Sequence, residues 1–272
     1  MSILDAATTW TLDKLSASYR RRHNPVYRTV DRFRLLISAH KLEITQILRF
    51  VPKEWKWSLA QLQDDAALLQ ALDLQKLSWF AKWLGVKLDW LEGTSDQIYG
   101  TFRFYKRIGL LPKMLARRRL VHEGLEIVAF ADSAEPLDMN ARFRQELALV
   151  FSVPIATIGD TEIRRFVVST DNWPWDHAPC RWDLKMLARA ASNLPATIIP
   201  IIPVPRKTVV ALYKGERFPA QDIPSGIGRF EQLEDYGLTA AEGGNGRESD
   251  DLTELLRQPA RQLASLFPAK PK

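Results

Sequence analysis

Between Val26 and about Asp96 the apolar residues recur at helical spacing, and no stretch alternates as a strand would. Phe33, Leu36 and Ile37 share one face, and Ile44, Ile47, Leu48 and Val51 share the next, which Pro52 ends. Leu59, Leu62, Ala66 and Leu69 continue the three-four spacing. Asp73 then stands where a helix cap is needed, ahead of Leu77, Phe80, Ala81 and Leu84. The pattern predicts a compact all-helical domain over residues 26–100, preceded by a basic arm at 1–25.

After Gly100 the texture changes. TFRFYKRIGLLPKMLARRRLVHEG (101–124) is basic and divided by Pro112, so it reads as a helical connector. LEIVAFA (125–131) is an apolar run of strand length, and VPIATIG and IRRFVVST read as further strands. NARFRQELALVF (140–151) reads as a helix with Phe143, Leu147 and Val150 on one face. WDLKMLARAASN is a helix capped near Asp183 and stopped at Asn193-Leu194-Pro195. TIIPIIPVP carries Pro200, Pro203 and Pro205, which suits an edge strand, and TVVALYKG reads as a strand. Strands alternating with helices predict an α/β layer domain over 125–238. A glycine-rich linker and a leucine-bearing helix complete the chain over 239–272. The expected fold class is therefore mixed: an all-α domain followed by an α/β domain.

Charge sharpens this picture. The chain of 272 residues has a net charge of +6, but residues 1–124 hold 21 Lys and Arg against 12 Asp and Glu. The rest of the chain is slightly acidic. A basic first half suggests a polyanionic partner. No apolar run is long enough for a membrane span, and the N-terminus lacks an export pattern, so no membrane partner and a cytoplasmic location are expected. The single cysteine, Cys180, excludes an internal disulfide framework.

One stretch carries a resemblance. LDLQKLSWFAKWLGVKLDWLEG is similar to the last two helices of the phage-repressor type of helix-turn-helix domain, the XRE or Cro/CI family. Leu84-Gly85-Val86, then Lys87-Leu88, then Asp89-Trp90-Leu91 and Gly93 carry the likeness. Gly85 suits a left-handed helix stop, Asp89 suits a cap, and Trp90 and Leu91 suit core closure. Trp79, Trp83 and Trp90 are then packing rather than a ligand cage. The resemblance implies helix one at Val26 to His40, helix two near Ile44 to Phe50, and a recognition helix from Lys53 through Gln63. Phe50-Val51-Pro52 departs from the small-residue and glycine turn of that family.

From the family's docking geometry, Lys53, Lys56, Trp57 and Gln61 face base edges, and Thr45, Gln46 and Arg49 meet phosphate. Arg20, Arg21 and Arg22 form an arm that follows the backbone or enters a minor groove. The implied partner is double-stranded DNA, bound by a homodimer that regulates transcription, with a small molecule or a protein as effector.

In the second half, DNWPWDHAPCRWDLK (171–185) concentrates the reactive side chains. Trp173 and Trp175, with Arg164, Arg165 and Arg181, suit one wall of an effector pocket for an anionic or planar ligand. His177 and Cys180 have a chelating spacing, but there is no second His/Cys pair, so no metal site is expected. Phosphate-loop, dinucleotide, nucleophile-elbow and zincin motifs are absent, so no cofactor is expected. Two other readings stay open. One is a nucleic-acid-associated enzyme or defence effector whose α/β half is catalytic, for instance a nuclease using Asp132, Glu162 and Asp171. The other is a purely structural interaction protein.

Overall fold

A computed structural model describes residues 25–118, 120, 124–192, 199–224 and 231–236. It is mixed helix and sheet, with the sheet confined to the C-terminal part. The chain divides into two compact units between Ile98 and Tyr99.

In the first unit, helix α1 (Pro25–Ala39) buries Val30, Phe33, Leu36 and Ile37, the face expected from their spacing. It stops at Lys41, whose φ of 59° turns the chain left-handed. A 3-10 helix follows at Ile44–Arg49, closed at its start by a box in which the Glu43 amide donates to Gln46 Oε1 at 2.8 Å. A second 3-10 turn, Lys53–Trp55, ends at Lys56 with φ 50°. Only then does α2 (Leu59–Gln63) begin, followed by α3 (Asp65–Ala71).

The single helix expected from Lys53 through Gln63 is thus broken. Lys56 leaves the right-handed region, and Ser58 starts α2 afresh by accepting from the Gln61 amide. Asp64 breaks the helical phase again by capping α3, its Oδ1 2.7 Å from the Ala67 amide. That second break changes which leucines are inside. Leu62, Leu68 and Leu72 are buried, while Leu59 is 51% exposed and Ala66 lies outside the core.

Helix α4 (Leu74–Leu84) runs as expected. Asp73 Oδ1 accepts from the Lys76 amide at 2.8 Å, and Gly85 at φ 81° supplies the stop, with Gly85 and Val86 both donating to Ala81 O. Trp90 and Leu91 in α5 (Leu88–Leu91) are buried. Asp89 does not cap: the cap position is Lys87, and Asp89 sits exposed one residue inside the helix.

The second unit holds a five-stranded sheet. β1 (Glu126–Ala131), β2 (Glu146–Ile158) and β3 (Thr161–Val168) form an antiparallel meander. The two-residue β4 (Trp173–Pro174) pairs with β2, and β5 (Ile201–Pro203) lies parallel to β1, giving the order β3-β2-β1-β5. The sheet is therefore mixed and mainly antiparallel. β5 is the last strand of that order; Pro203 ends it, and Pro200 precedes it in an isolated bridge to Gln232.

Two element types differ from expectation. The run ELALVFSV is β2, not the end of a helix from Asn140; it is buried along its first eight residues because β1 and β3 flank it. A continuous apolar run of that length fits either period, and tertiary pairing decides. TVVALYKG belongs to α8 (Arg206–Tyr213), which follows Pro205 and buries Thr208, Val209 and Leu212 at helical spacing. Helix α7 (Ala178–Ser192) starts well before Asp183, which is inside it and 4% exposed.

The segment read as a connector belongs to this unit's core. Phe102 and Phe104 are buried, with ring centroids 5.5 Å (Phe102) and 5.9 Å (Phe104) from Phe151, and Phe104 lies 4.7 Å from Trp173. Short helix α6 (Leu111–Arg117) adds Leu111 and Leu115 to the same core. The leucine-bearing C-terminal helix and the arm at 1–25, apart from Pro25, which opens α1, lie outside the described residues.

Candidate nucleic-acid interface

Among the described basic residues of the first unit, Lys76 and Lys87 pair with Asp73 and Asp89, Lys41 and Lys82 are exposed, and the remaining six fall into two groups. Arg28, Arg32 and Arg34 are engaged within the unit, Arg32 and Arg34 half-buried and Arg28 exposed. Arg28 donates to Gly93 O at 3.0 Å, and Arg34 bonds Asp65 Oδ1 and Leu62 O, both at 2.9 Å. Arg32 donates to the Trp90 and Ser95 carbonyls, pairs with Asp96 at 3.0 Å, and lies over the Trp90 ring. Arg28 and Arg32 tie α1 to the end of the unit, and Arg34 ties it to α2 and α3. Part of the basic excess seen in the sequence is therefore neutralised internally.

The second group is Arg49, Lys53 and Lys56, together with Thr45. All four are exposed on the two 3-10 segments, and the three cations have no carboxylate partner among the described residues. The other nominated residues have different roles. Gln46 and Gln61 are half-buried, and each uses its side-chain oxygen to accept its own cap amide, at 2.8 and 2.9 Å. Trp57 is stacked on Phe80 with centroids 5.9 Å apart and meets Phe33 edge-on at 6.3 Å, so it is packing. Arg20, Arg21 and Arg22 lie outside the described residues.

Behind the exposed cations lies a layer of half-buried rings that sequence spacing did not reveal as one cluster. Trp55 contacts Trp57 at 5.3 Å and Trp79 at 5.4 Å, and Trp83 contacts Phe50 and Trp79, both at 5.2 Å. Phe80 lies beneath them, fully buried. The rings hold the two irregular segments against α4. This aromatic packing anchors the short turn that carries Lys53 and Lys56.

In the second unit the five residues expected to line an effector pocket do not form one wall, although Arg181 meets Trp175. Trp173 is fully buried and donates from Nε1 to Ser169 Oγ at 3.1 Å, and Trp175 is 3% exposed against Tyr236. Arg164 pairs with Glu126 at 3.1 Å and Glu162 at 2.6 Å; Arg165, its strand neighbour, points to the opposite face. Trp173 aligns with Leu147 and Arg164 with Pro154, so about 23 Å of strand separates them. Arg181 donates to Trp175 O at 2.8 Å and fastens the loop before α7.

The reactive stretch is largely structural. Asp171 Oδ2 accepts the Phe104 and Tyr105 amides at 2.8 and 3.1 Å, and Asp183 Oδ2 accepts the Lys106 amide at 2.6 Å. Cys180 is buried. Burial, then the charges of Asp183 and Asp171, push its thiol up to about 11, so it stays protonated and is no nucleophile at neutral pH. His177 meets the Tyr105 hydroxyl at 2.8 Å rather than Cys180. The carboxylates weighed as a nuclease set are likewise apart in role: Glu162 pairs with Arg164, Asp171 holds backbone, and Asp132 accepts the Glu146 amide at 2.9 Å. Asp132 and Glu146 both face Arg206, at 4.0 and 3.2 Å. Among the described residues no cluster of three or more His, Cys, Asp or Glu is arranged to hold a metal, and no helix is long and apolar enough to cross a membrane.

No protein-family model matches the chain, and neither a curated protein nor a solved structure matches it significantly.

Proposed function

We propose that the protein is a DNA-binding regulator whose first unit docks on the duplex, while the second unit serves dimerisation or effector sensing. The observation that carries this reading is the contrast between the two groups of cations. Arg28, Arg32 and Arg34 are held by acceptors within the unit, whereas Arg49, Lys53 and Lys56 stand exposed on consecutive turns and form no ion pair among the described residues, although Glu54 shares the turn with Lys53. The likeness of residues 84–93 to the phage-repressor helix-turn-helix, including the left-handed Gly85 and the buried Trp90 and Leu91, supports the same reading.

The binding mode follows from what occupies the expected recognition segment. α2 is five residues long and Gln61 serves its own cap, so little is left to read base edges. Contacts to phosphate from Arg49, Lys53 and Lys56, with Thr45 beside them, then supply most of the affinity, and sequence preference is modest.

Fluorescence anisotropy of the full chain on a labelled duplex tests this. Three phosphate contacts give a salt slope near −2.7, so affinity falls about 40-fold between 50 and 200 mM salt. Converting Arg49 and Lys53 to alanine and Lys56 to glycine should abolish most of that binding. Absence of binding at 50 mM salt, or binding indifferent to salt and to these changes, rejects the proposal.

A further inference from the structure

The second unit carries an open cleft of about 610 Å³ that none of the readings above uses. It is lined by Lys106, Arg107, Ile108, Leu110, Pro179 and Trp182, with Asp183 at its inner side. Its chemistry differs from that of its neighbours in one respect. The side chains of Lys106 and Arg107 are exposed and have no carboxylate partner among the described residues, whereas Arg164 and Arg206 are paired with carboxylates.

The wall is built rather than incidental. Lys106 sits at φ 56°, a left-handed conformation that is unfavourable for a residue with a side chain. Three bonds hold the turn there: Asp183 takes the Lys106 amide, and Asp171 takes the two amides before it. The Lys106 ammonium lies 5.2 Å from the Tyr105 ring centroid, and Tyr105 is itself fixed by its 2.8 Å bond to His177. In the same lining Trp182 is half-buried, packed on the core, and Leu110, 52% exposed, adds an apolar side chain. Asp183 is buried at the cleft, where its Oδ2 accepts the Lys106 amide.

We infer that this cleft binds a small ligand with a planar aromatic body and an anionic group, the body against Trp182 and the anion between Lys106 and Arg107. Guanidinium and ammonium beside an indole face are the groups that recognise such a ligand. A volume near 600 Å³ holds a molecule the size of a mononucleotide or a bicyclic aryl carboxylate. The site lies wholly within the second unit and does not depend on whether the first unit binds DNA.

Isothermal titration of the full chain with AMP, GMP and 2-naphthoate decides the matter, the nucleotide and carboxylate arms separating the two sources of this chemistry. Saturable binding of at least one probe is expected. K106G together with R107A should weaken it at least tenfold. Both positions are exposed, and glycine suits the left-handed backbone at 106, so the variant should fold; its circular dichroism and melting temperature verify this. Failure of all three probes to bind at 5 mM overturns the inference, as does binding that the double variant leaves unchanged.

Discussion

The Arg32 guanidinium lies 5.4 Å from the centre of the Trp90 indole ring, donates to Ser95 O at 2.7 Å and pairs with Asp96 at 3.0 Å. One side chain from the first helix thus closes the last turn of the first unit. Bonds to charged groups of this kind are worth about 1.5 to 3 kcal/mol, and the partly exposed geometry places this one near the lower end. R32A is expected to cost about 2 kcal/mol in urea denaturation, and R32K to recover only part of it because lysine lacks the planar fork. A loss below about 0.5 kcal/mol would show that the clamp is incidental.

Two left-handed residues should respond in opposite directions. Gly85 at φ 81° ends α4, and G85A forces a Cβ into that conformation, costing about 1 to 2 kcal/mol. Lys56 already bears that strain at φ 50°, so K56G is expected to be neutral or to stabilise by up to about 1 kcal/mol. Thermal melts of the two variants check both signs. If K56G also weakens DNA binding, its effect lies in the lost charge and not in unfolding.

Caps separate two aspartates that look alike in sequence. Asp73 accepts the Lys76 amide, and its bonds with Lys76 hold its carboxyl below the usual range, whereas Asp89 caps nothing. D73A should therefore lose about 1 kcal/mol and D89A less than about 0.5 kcal/mol in the same assay.

His40 gives the first unit an acid sensitivity. It is buried, with Nδ1 2.8 Å from Leu36 O, and burial lowers its pKa from 6.5 to about 4. The unfolded state therefore takes up a proton that the folded state refuses as pH falls below 6.5. Stability from this group is complete above that pH and declines through 4, by about 3 kcal/mol in all. Denaturant midpoints measured from pH 7 to 4 should fall, and H40L should flatten that decline; an equally steep decline in H40L would assign it to carboxylates instead.

Cys180, buried and with its thiol held protonated, should react slowly with a disulfide reagent in the folded protein and at once in denaturant. Fast labelling of the native chain would contradict its place in the core.

Local signals read well wherever one residue settles the backbone. Gly85 stops α4, Asp73 starts it, and Pro203 ends β5, all through effects confined to a few residues. The candidate interface was half legible. Arg49, Lys53 and Lys56 are exposed, but Gln46 and Gln61 turn back to cap their own helices, a choice made by short-range geometry that residue type does not reveal. The effector wall was not legible. Trp173 and Arg164 are nine residues apart, yet the β3 strand carries them to distant points on the sheet.

By itself the sequence determined the helical first unit, its basic excess, its closing Gly85-to-Leu91 segment and the strands at β1 and β3, because each follows from spacing or from a single backbone preference. Tertiary structure decided the rest. ELALVFSV became a central strand and TVVALYKG a helix because β1 and β3 offered pairing partners to one, while the other packs Val209 and Leu212 at helical spacing after Pro205. It also decided which cations are available. Arg32 and Lys53 carry the same charge, and only the fold holds one against Trp90 and leaves the other in water.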